Sequence, residues 1–194
     1  MDDIVKQAIA KWPNVPACVG WLGLDARGNW YMRDDSAQAA GPFVCDSPDP
    51  ARRAAARGSR LQHEKLVDFI ARNYESDAAG QWFFQNGPQR VFVELEITPL
   101  IWRIAQGPGF AVTAHTGAPA QVVACLLDEQ GRLYLHTSAG FGLVHSLDMA
   151  LAADAVEAGV WAPEAVLAQD LPTRFGYVCS PQQRQQVGLQ LLLN

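Results

Sequence analysis

Arg90, Glu94 and Glu96 fall within one short stretch, while four histidines, His63, His115, His136 and His145, are scattered through the rest of the chain. Over residues 91–97 the apolar pattern alternates. Val91, Val93, Leu95 and Ile97 share one strand face, and Phe92, Glu94 and Glu96 share the other. Two carboxylates side by side on a strand can divide acid and base roles, or hold a divalent cation with a third ligand. Arg90, four residues before Glu94, adds an ion-pair partner or an anion contact. The plainer account is that Glu94 and Glu96 are the wet side of a half-buried antiparallel strand. His115 sits in a loop, and His145 lies in an apolar stretch three residues before Asp148. For His145 the ordinary role is a buried, hydrogen-bonded imidazole. Arg90, Glu94, Glu96, His115 and His145 are therefore the candidate ligand-binding residues, and none is assigned a catalytic role.

Other motifs are missing. No G-x-S-x-G elbow accompanies the histidines, and no P-loop, H-E-x-x-H or EF-hand pattern occurs. Gly140-Phe141-Gly142 begins like a dinucleotide loop, but His145 stands where the third glycine belongs. The four cysteines, at 18, 45, 125 and 179, form no C-x-x-C pair, so no zinc or redox motif is indicated. No metal and no cofactor are expected.

The elements that must position these residues centre on residues 74–100. A turn at Asp77-Ala78-Ala79-Gly80 opens an aromatic strand, Trp82-Phe83-Phe84; Asn86-Gly87 closes it, and the 91–97 strand follows up to Pro99. The same turn chemistry recurs. LDARGNWYM, SDAAGQWFF and LDEQGRLYL each read Asp, two variable residues, Gly, a polar residue and an apolar-aromatic run, with the aspartates at 25, 77 and 128. The carboxylate can accept a backbone N–H further round the bend, and the glycine supplies positive φ. The near-equal intervals suggest a repeated hairpin unit, although reuse of one common turn explains them as well.

Around the hairpins, Asp2 or Asp3 caps a helix whose Ile4, Val5, Ala8, Ile9 and Trp12 form an apolar stripe. Residues 34–60 read as a long loop rich in Ala, Gly, Pro, Ser and Asp, with Arg52, Arg53, Arg57 and Arg60 offset by nearby aspartates. Residues 61–73 read as an amphipathic helix. A helix from the Asp148 cap to about 158, a second from Pro163 to about 170, a strand over 175–179 and a terminal helix behind Ser180-Pro181-Gln182-Gln183 complete the pattern. In the first hairpin Trp30 and Met32 face inward and Tyr31 outward, so a sheet apolar on both faces needs cover on both.

At 194 residues the chain fits one domain, or two halves at 1–106 and 107–194 divided at the Gln106-Gly107-Pro108-Gly109 break. A net charge of −5 argues against nucleic acid as the main partner. The acidic N-terminus is no signal peptide and no apolar run is long enough to span a membrane, so a reducing cytoplasm is the expected setting.

The segments KWPNVPACVGWLGLDARGNW, NGPQRVFVELEITP and GFGLVHSLDMALAADAVEAG resemble those of a family of proteobacterial proteins of unknown function, over nearly the whole chain. A D-x-x-G-x-W hairpin, a helix, a second such hairpin and a V-x-V-E strand closed by proline are also similar, over residues 18–99, to a domain-of-unknown-function family built of repeated β-hairpins. For that family a role in signal transduction is suggested; here the segment between Gly87 and Val93 is shorter. The resulting expectation is an α+β fold, a twisted antiparallel sheet of three related hairpins covered by helices. The expected function is a non-enzymatic cytoplasmic module binding a small molecule or a protein partner, in a regulatory or signalling setting, with a homodimer as one form of partner. The competing expectation is a hydrolase that uses a strand carboxylate with a histidine.

Overall fold

Strand alternation and glycine-bearing turns lay down two sheets, and the computed structural model describes residues 1–107 and 109–192. The first sheet has six strands: β1 (Cys18–Leu24), β2 (Trp30–Met32), β3 (Ser59–Arg60), β4 (Tyr74–Ser76), β5 (Trp82–Asn86) and β6 (Gln89–Leu95), in the order β3-β2-β1-β6-β5-β4. The second has seven: β7 (Leu100–Ile104), β8 (Val112–Ala114), β9 (Pro119–Ala120), β10 (Val122–Asp128), β11 (Leu133–Thr137), β12 (Gly140–Val144) and β13 (Pro163–Val166), in the order β13-β10-β11-β12-β7-β8-β9. The chain forms two compact units. One comprises Met1–Asp25, Asn29–Glu96 and the segment from Val178; the other comprises Ala26–Gly28 and Ile97–Tyr177. The break over 106–109 joins β7 to β8 inside the second unit, and Pro108 in it lies outside the described residues.

The fold is α+β, with two corrections to the expected sheet. The first two Asp-x-x-Gly hairpins, β1–β2 and β4–β5, share the six-stranded sheet, while the third, β10–β11, belongs to the other. Neither sheet is purely antiparallel, because β1 with β6, β7 with β12 and β10 with β13 pair in parallel. The local turn chemistry is the same in all three bends. Asp25 Oδ1 accepts Asn29 N–H at 2.8 Å, Asp77 Oδ1 accepts Gln81 N–H at 2.9 Å, and Asp128 Oδ1 accepts Arg132 N–H at 2.9 Å. Gly28, Gly80 and Gly131 supply φ of 78°, 75° and 76°. The second oxygen of the first and third aspartates accepts a tyrosine hydroxyl two residues into the returning strand, from Tyr31 and Tyr134.

Helix α1 (Asp3–Lys11) buries Val5, but Ile4 and Trp12 are exposed, so the apolar stripe is narrower than the sequence pattern. Residues 34–60 are not an unstructured loop. Asp34 accepts Ala37 N–H and opens α2 (Asp35–Ala40), and Asp49, followed by Pro50 at the first helical position, opens α3 (Pro50–Arg57). Helix α4 (Glu64–Arg72) buries Ile70, and its Phe69 meets Phe84 edge-on at 5.5 Å. After the 3-10 turn Ser146–Asp148, helix α5 (Met149–Glu157) buries Ala152 and Ala155. The helix expected from Pro163 is instead β13; a short helix α6 (Leu171–Phe175) follows it, and the strand expected over 175–179 is the end of that helix and an irregular turn. Pairing of 163–166 with β10 overrides the local helical signal. Helix α7 (Pro181–Leu192) follows Ser180, which accepts Gln183 N–H.

Leu24, Trp30, Ile70, Phe83, Val93 and Leu95 are the centre of the first core; Ile101, Trp102, Leu126, Tyr134 and Leu135 form that of the second. Trp30 points inward as expected, whereas Met32 is half exposed.

Candidate functional site

Parallel pairing of β1 with β6 sets Glu94 opposite Gly23. A Cβ at Gly23 would lie 2.5 Å from the Phe43 ring, so the missing side chain is what lets Phe43 lie close against this part of the sheet. Glu94 is not the wet side of its strand. It is 2% exposed, and both oxygens are engaged by the start of α7: Ser180 Oγ donates to Oε2 at 2.5 Å and Gln182 N–H donates to Oε1 at 3.0 Å. Burial pushes its carboxyl above the ordinary value, opposed by the Ser180 and Gln182 hydrogen bonds and by the Arg33 charge.

Arg33 is fully buried, a position nothing in its sequence context marks. Its guanidinium donates to the carbonyls of Ala56 (2.8 Å), Gly20 (3.0 Å) and Gly41 (2.5 Å), and to Gln182 Oε1 at 3.4 Å. One arginine thus binds α3, β1, the end of α2 and the first turn of α7 together while offsetting the Glu94 charge. Glu96 is half-buried and pairs with the Arg57 guanidinium, which lies 5.1 Å from the Tyr31 ring centroid and 5.4 Å from that of Phe43.

Glu94 and Glu96 line a cavity of about 280 Å3 together with Phe43, Asp46, Cys179 and Ser180. Asp46 is exposed. The Cys179 thiol is pushed up by burial and by the Glu94 charge, so it holds its proton and is a weak nucleophile. Of the candidate residues, only the two glutamates meet here. Arg90 is exposed and lies over the Phe83 ring at 4.7 Å. His115 and His145 belong to the second unit. There His115 Nδ1 accepts Ile101 N–H at 3.2 Å, and His145 Nδ1 accepts Leu147 N–H at 3.0 Å, with His145 buried. Asp148 is not a side-chain cap for α5. Its carboxylate takes Arg103 Nε at 2.6 Å and Ile104 N–H at 3.0 Å, joining the turn before the helix to β7.

Among the described residues, no group of three or more His, Cys, Asp or Glu is placed to hold a metal ion, and no helix is long and apolar enough to cross a membrane. Phe43, Ser180 and Arg57 were not singled out from sequence as partners of Glu94 and Glu96. The available signals were Gly23 in mid-strand and the Ser180-Pro181 helix start.

The family described as "Protein of unknown function (DUF2946)" matches residues 1–182. The chain belongs to that family. No curated protein matches the chain. A crystal structure of a DUF1285 family protein from Silicibacter pomeroyi DSS-3 is similar over 75% of this chain and 74% of that chain, at 12% identity and a TM-score of 0.46.

Proposed function

We propose that the chain is a ligand-binding module rather than a hydrolase, and that its first unit takes a small cationic molecule, an amine or guanidinium, in the cavity walled by Phe43, Asp46, Glu94 and Glu96. One observation carries the reading: an aromatic ring and three carboxylates line the same 280 Å3 space. A ring face and carboxylates both favour a cation. Arg57, already paired with Glu96 and lying over Phe43, supports a cationic occupant for this wall. The hydrolase reading finds less support, since no histidine lines the cavity and both Glu94 oxygens are held by α7. The setting we propose is cytoplasmic and regulatory; the four free cysteines suit a reducing compartment.

The test is a thermal-unfolding titration with agmatine and putrescine, with succinate as the anionic control. A ligand that prefers the folded state must raise the midpoint, by the equivalent of about 2.7 kcal/mol at a hundredfold excess over its Kd. Agmatine is expected to raise it and succinate to leave it unchanged. Asp46→Asn and Glu96→Gln are expected to weaken the agmatine response. An unchanged midpoint with either cation at millimolar concentration overturns the cationic site, and ester turnover lost in Ser180→Ala would restore the hydrolase reading.

A second observation favours a protein partner. Trp21 and Met32, 44% and 50% exposed, flank an apolar groove of about 260 Å3 that Leu22, Leu66 and Ile70 also line. Self-association through this face would appear in sedimentation as a dimer broken by Trp21→Glu.

A further inference from the structure

The second unit holds a larger cavity, separate from the carboxylate site. Its sheet has β9 at one margin, and only Gln121 separates β9 from β10, which lies next to the opposite margin strand β13. The sheet therefore curls until its two margins are tied through one residue. β13 pairs with β10 only from Cys125 onward, which leaves residues 122–124 of β10 without a strand on that side. Between the margins lies a cavity of about 630 Å3, well inside the usual range of small-molecule sites, ~300–1,000 Å3.

Two aromatic rings wall it. Phe110 and Trp161 have centroids 6.1 Å apart with planes at 53°. Trp161 is buried, and its N–H, like that of Val160, is held by Ala155 O at the end of α5. Phe110 has φ of 42°, and among the described residues it is the one non-glycine with positive φ. A bulky side chain rarely adopts that backbone. The ring is thus presented here at the expense of backbone ease, as happens at binding sites.

The remaining chemistry narrows the occupant. Among the described residues of the lining Glu164 is the one carboxylate and no basic side chain joins it, and Arg174 occupies both its oxygens at 3.0 and 2.9 Å. Burial pushes the Cys125 thiol up to about 11, so it too is neutral. The open margin spans residues 122–124 of β10 and two residues of β9. At about 3.3 Å per residue the β10 part runs on the order of 10 Å and the β9 part roughly 7 Å, each too short a ladder to hold an added peptide strand but long enough for one ring system.

We propose that this cavity binds a small, uncharged, planar heteroaromatic molecule, stacked on Phe110 and Trp161 and hydrogen-bonded to the open backbone margin of β10. The amide-like edge of such a ring matches a row of N–H and C=O groups, and its faces match the aromatic walls.

The experiment is calorimetric titration of the full chain with adenine and with nicotinamide, against cyclohexanecarboxamide as the saturated analogue of nicotinamide. Adenine or nicotinamide is expected to bind and the saturated analogue to bind at least about tenfold more weakly, since ring stacking is lost. Phe110→Gly suits the positive φ and removes the ring, so it is expected to keep or raise the unfolding midpoint while weakening binding about tenfold. Val123→Arg places a long side chain at the cavity mouth from a position that is 68% exposed, and is expected to block binding without unfolding the chain. The proposal is overturned if neither heteroaromatic binds at millimolar concentration, if the saturated analogue binds equally well, or if both variants bind like the parent.

Discussion

Glu94 shows how one side chain can be both costly and necessary. Its burial disfavours the charge, while two donors from α7 and the nearby Arg33 favour it. Glu94→Ala strands Ser180 Oγ and Gln182 N–H and is expected to lose about 1–3 kcal/mol in urea unfolding. Glu94→Gln keeps an acceptor and drops the charge, and is expected to stay within about 1 kcal/mol of the parent at neutral pH. The sign of the pH dependence follows from the direction of the shift. A carboxyl raised above 4.5 in the folded chain contributes most below that value, and its contribution is lost as pH rises from 4.5 through the raised value. Asp148 runs the other way. Burial raises its carboxyl, but Arg103 and Ile104 N–H outweigh burial and hold it below 3.8, so its contribution is present above 3.8 and is lost as pH falls through the lowered value. Urea midpoints taken across the acid range for the parent and Glu94→Gln should therefore differ in slope only above about pH 4.5. From sequence, the strand carrying Glu94 was legible because strand periodicity is local, but β6 ends at Leu95, so Glu96 reaches the same cavity from the bend after it. Their burial was not legible, because Ser180 and Arg33 reach Glu94, and Arg57 reaches Glu96, from distant parts of the chain.

At the scale of elements, the three Asp-x-x-Gly bends were legible for the same reason: carboxylate, backbone N–H and glycine all lie within five residues. Which sheet each hairpin joins was not, since strand order depends on partners such as β6 for β1 and β13 for β10. Residues 163–179 were misread in both halves, because Pro163 marks a helix start as readily as a margin strand. Glycines separate the two kinds of constraint. At Gly131, φ is 76° and nothing would meet an added Cβ, so Gly131→Ala should cost about 1–2 kcal/mol of backbone strain. At Gly142, opposite Leu100 in the parallel β7–β12 pair, an added Cβ would lie 2.4 Å from the Leu100 carbonyl oxygen and 2.7 Å from Trp102 Nε1. Backbone cannot yield as a side-chain tip can, so Gly142→Ala is expected to cost more, beyond about 3 kcal/mol, in the same urea titration.

Across the whole molecule, the first unit is assembled from segments on either side of Ile97–Tyr177, the stretch that with Ala26–Gly28 makes the second unit. The part returning at Val178 brings the Cys179 carbonyl that accepts Leu95 N–H at 2.7 Å, the Ser180 hydroxyl and the first turn of α7. Removal of residues from 178 onward is expected to speed amide exchange at Val93 and Leu95 while Ile101 and Trp102 stay protected, as measured by hydrogen–deuterium exchange. Composition carries no record of which distant segments return, so the contribution of Val178 onward to the first unit is not legible in the sequence. The order of synthesis then matters. A ribosome adding about 5–20 residues per second emits Glu94 several seconds before Ser180, whose hydroxyl will donate to its carboxylate. During that interval the nascent first sheet carries an acidic group with no helix to meet it, so a stretch made later is what locks a sheet whose strands emerged before it.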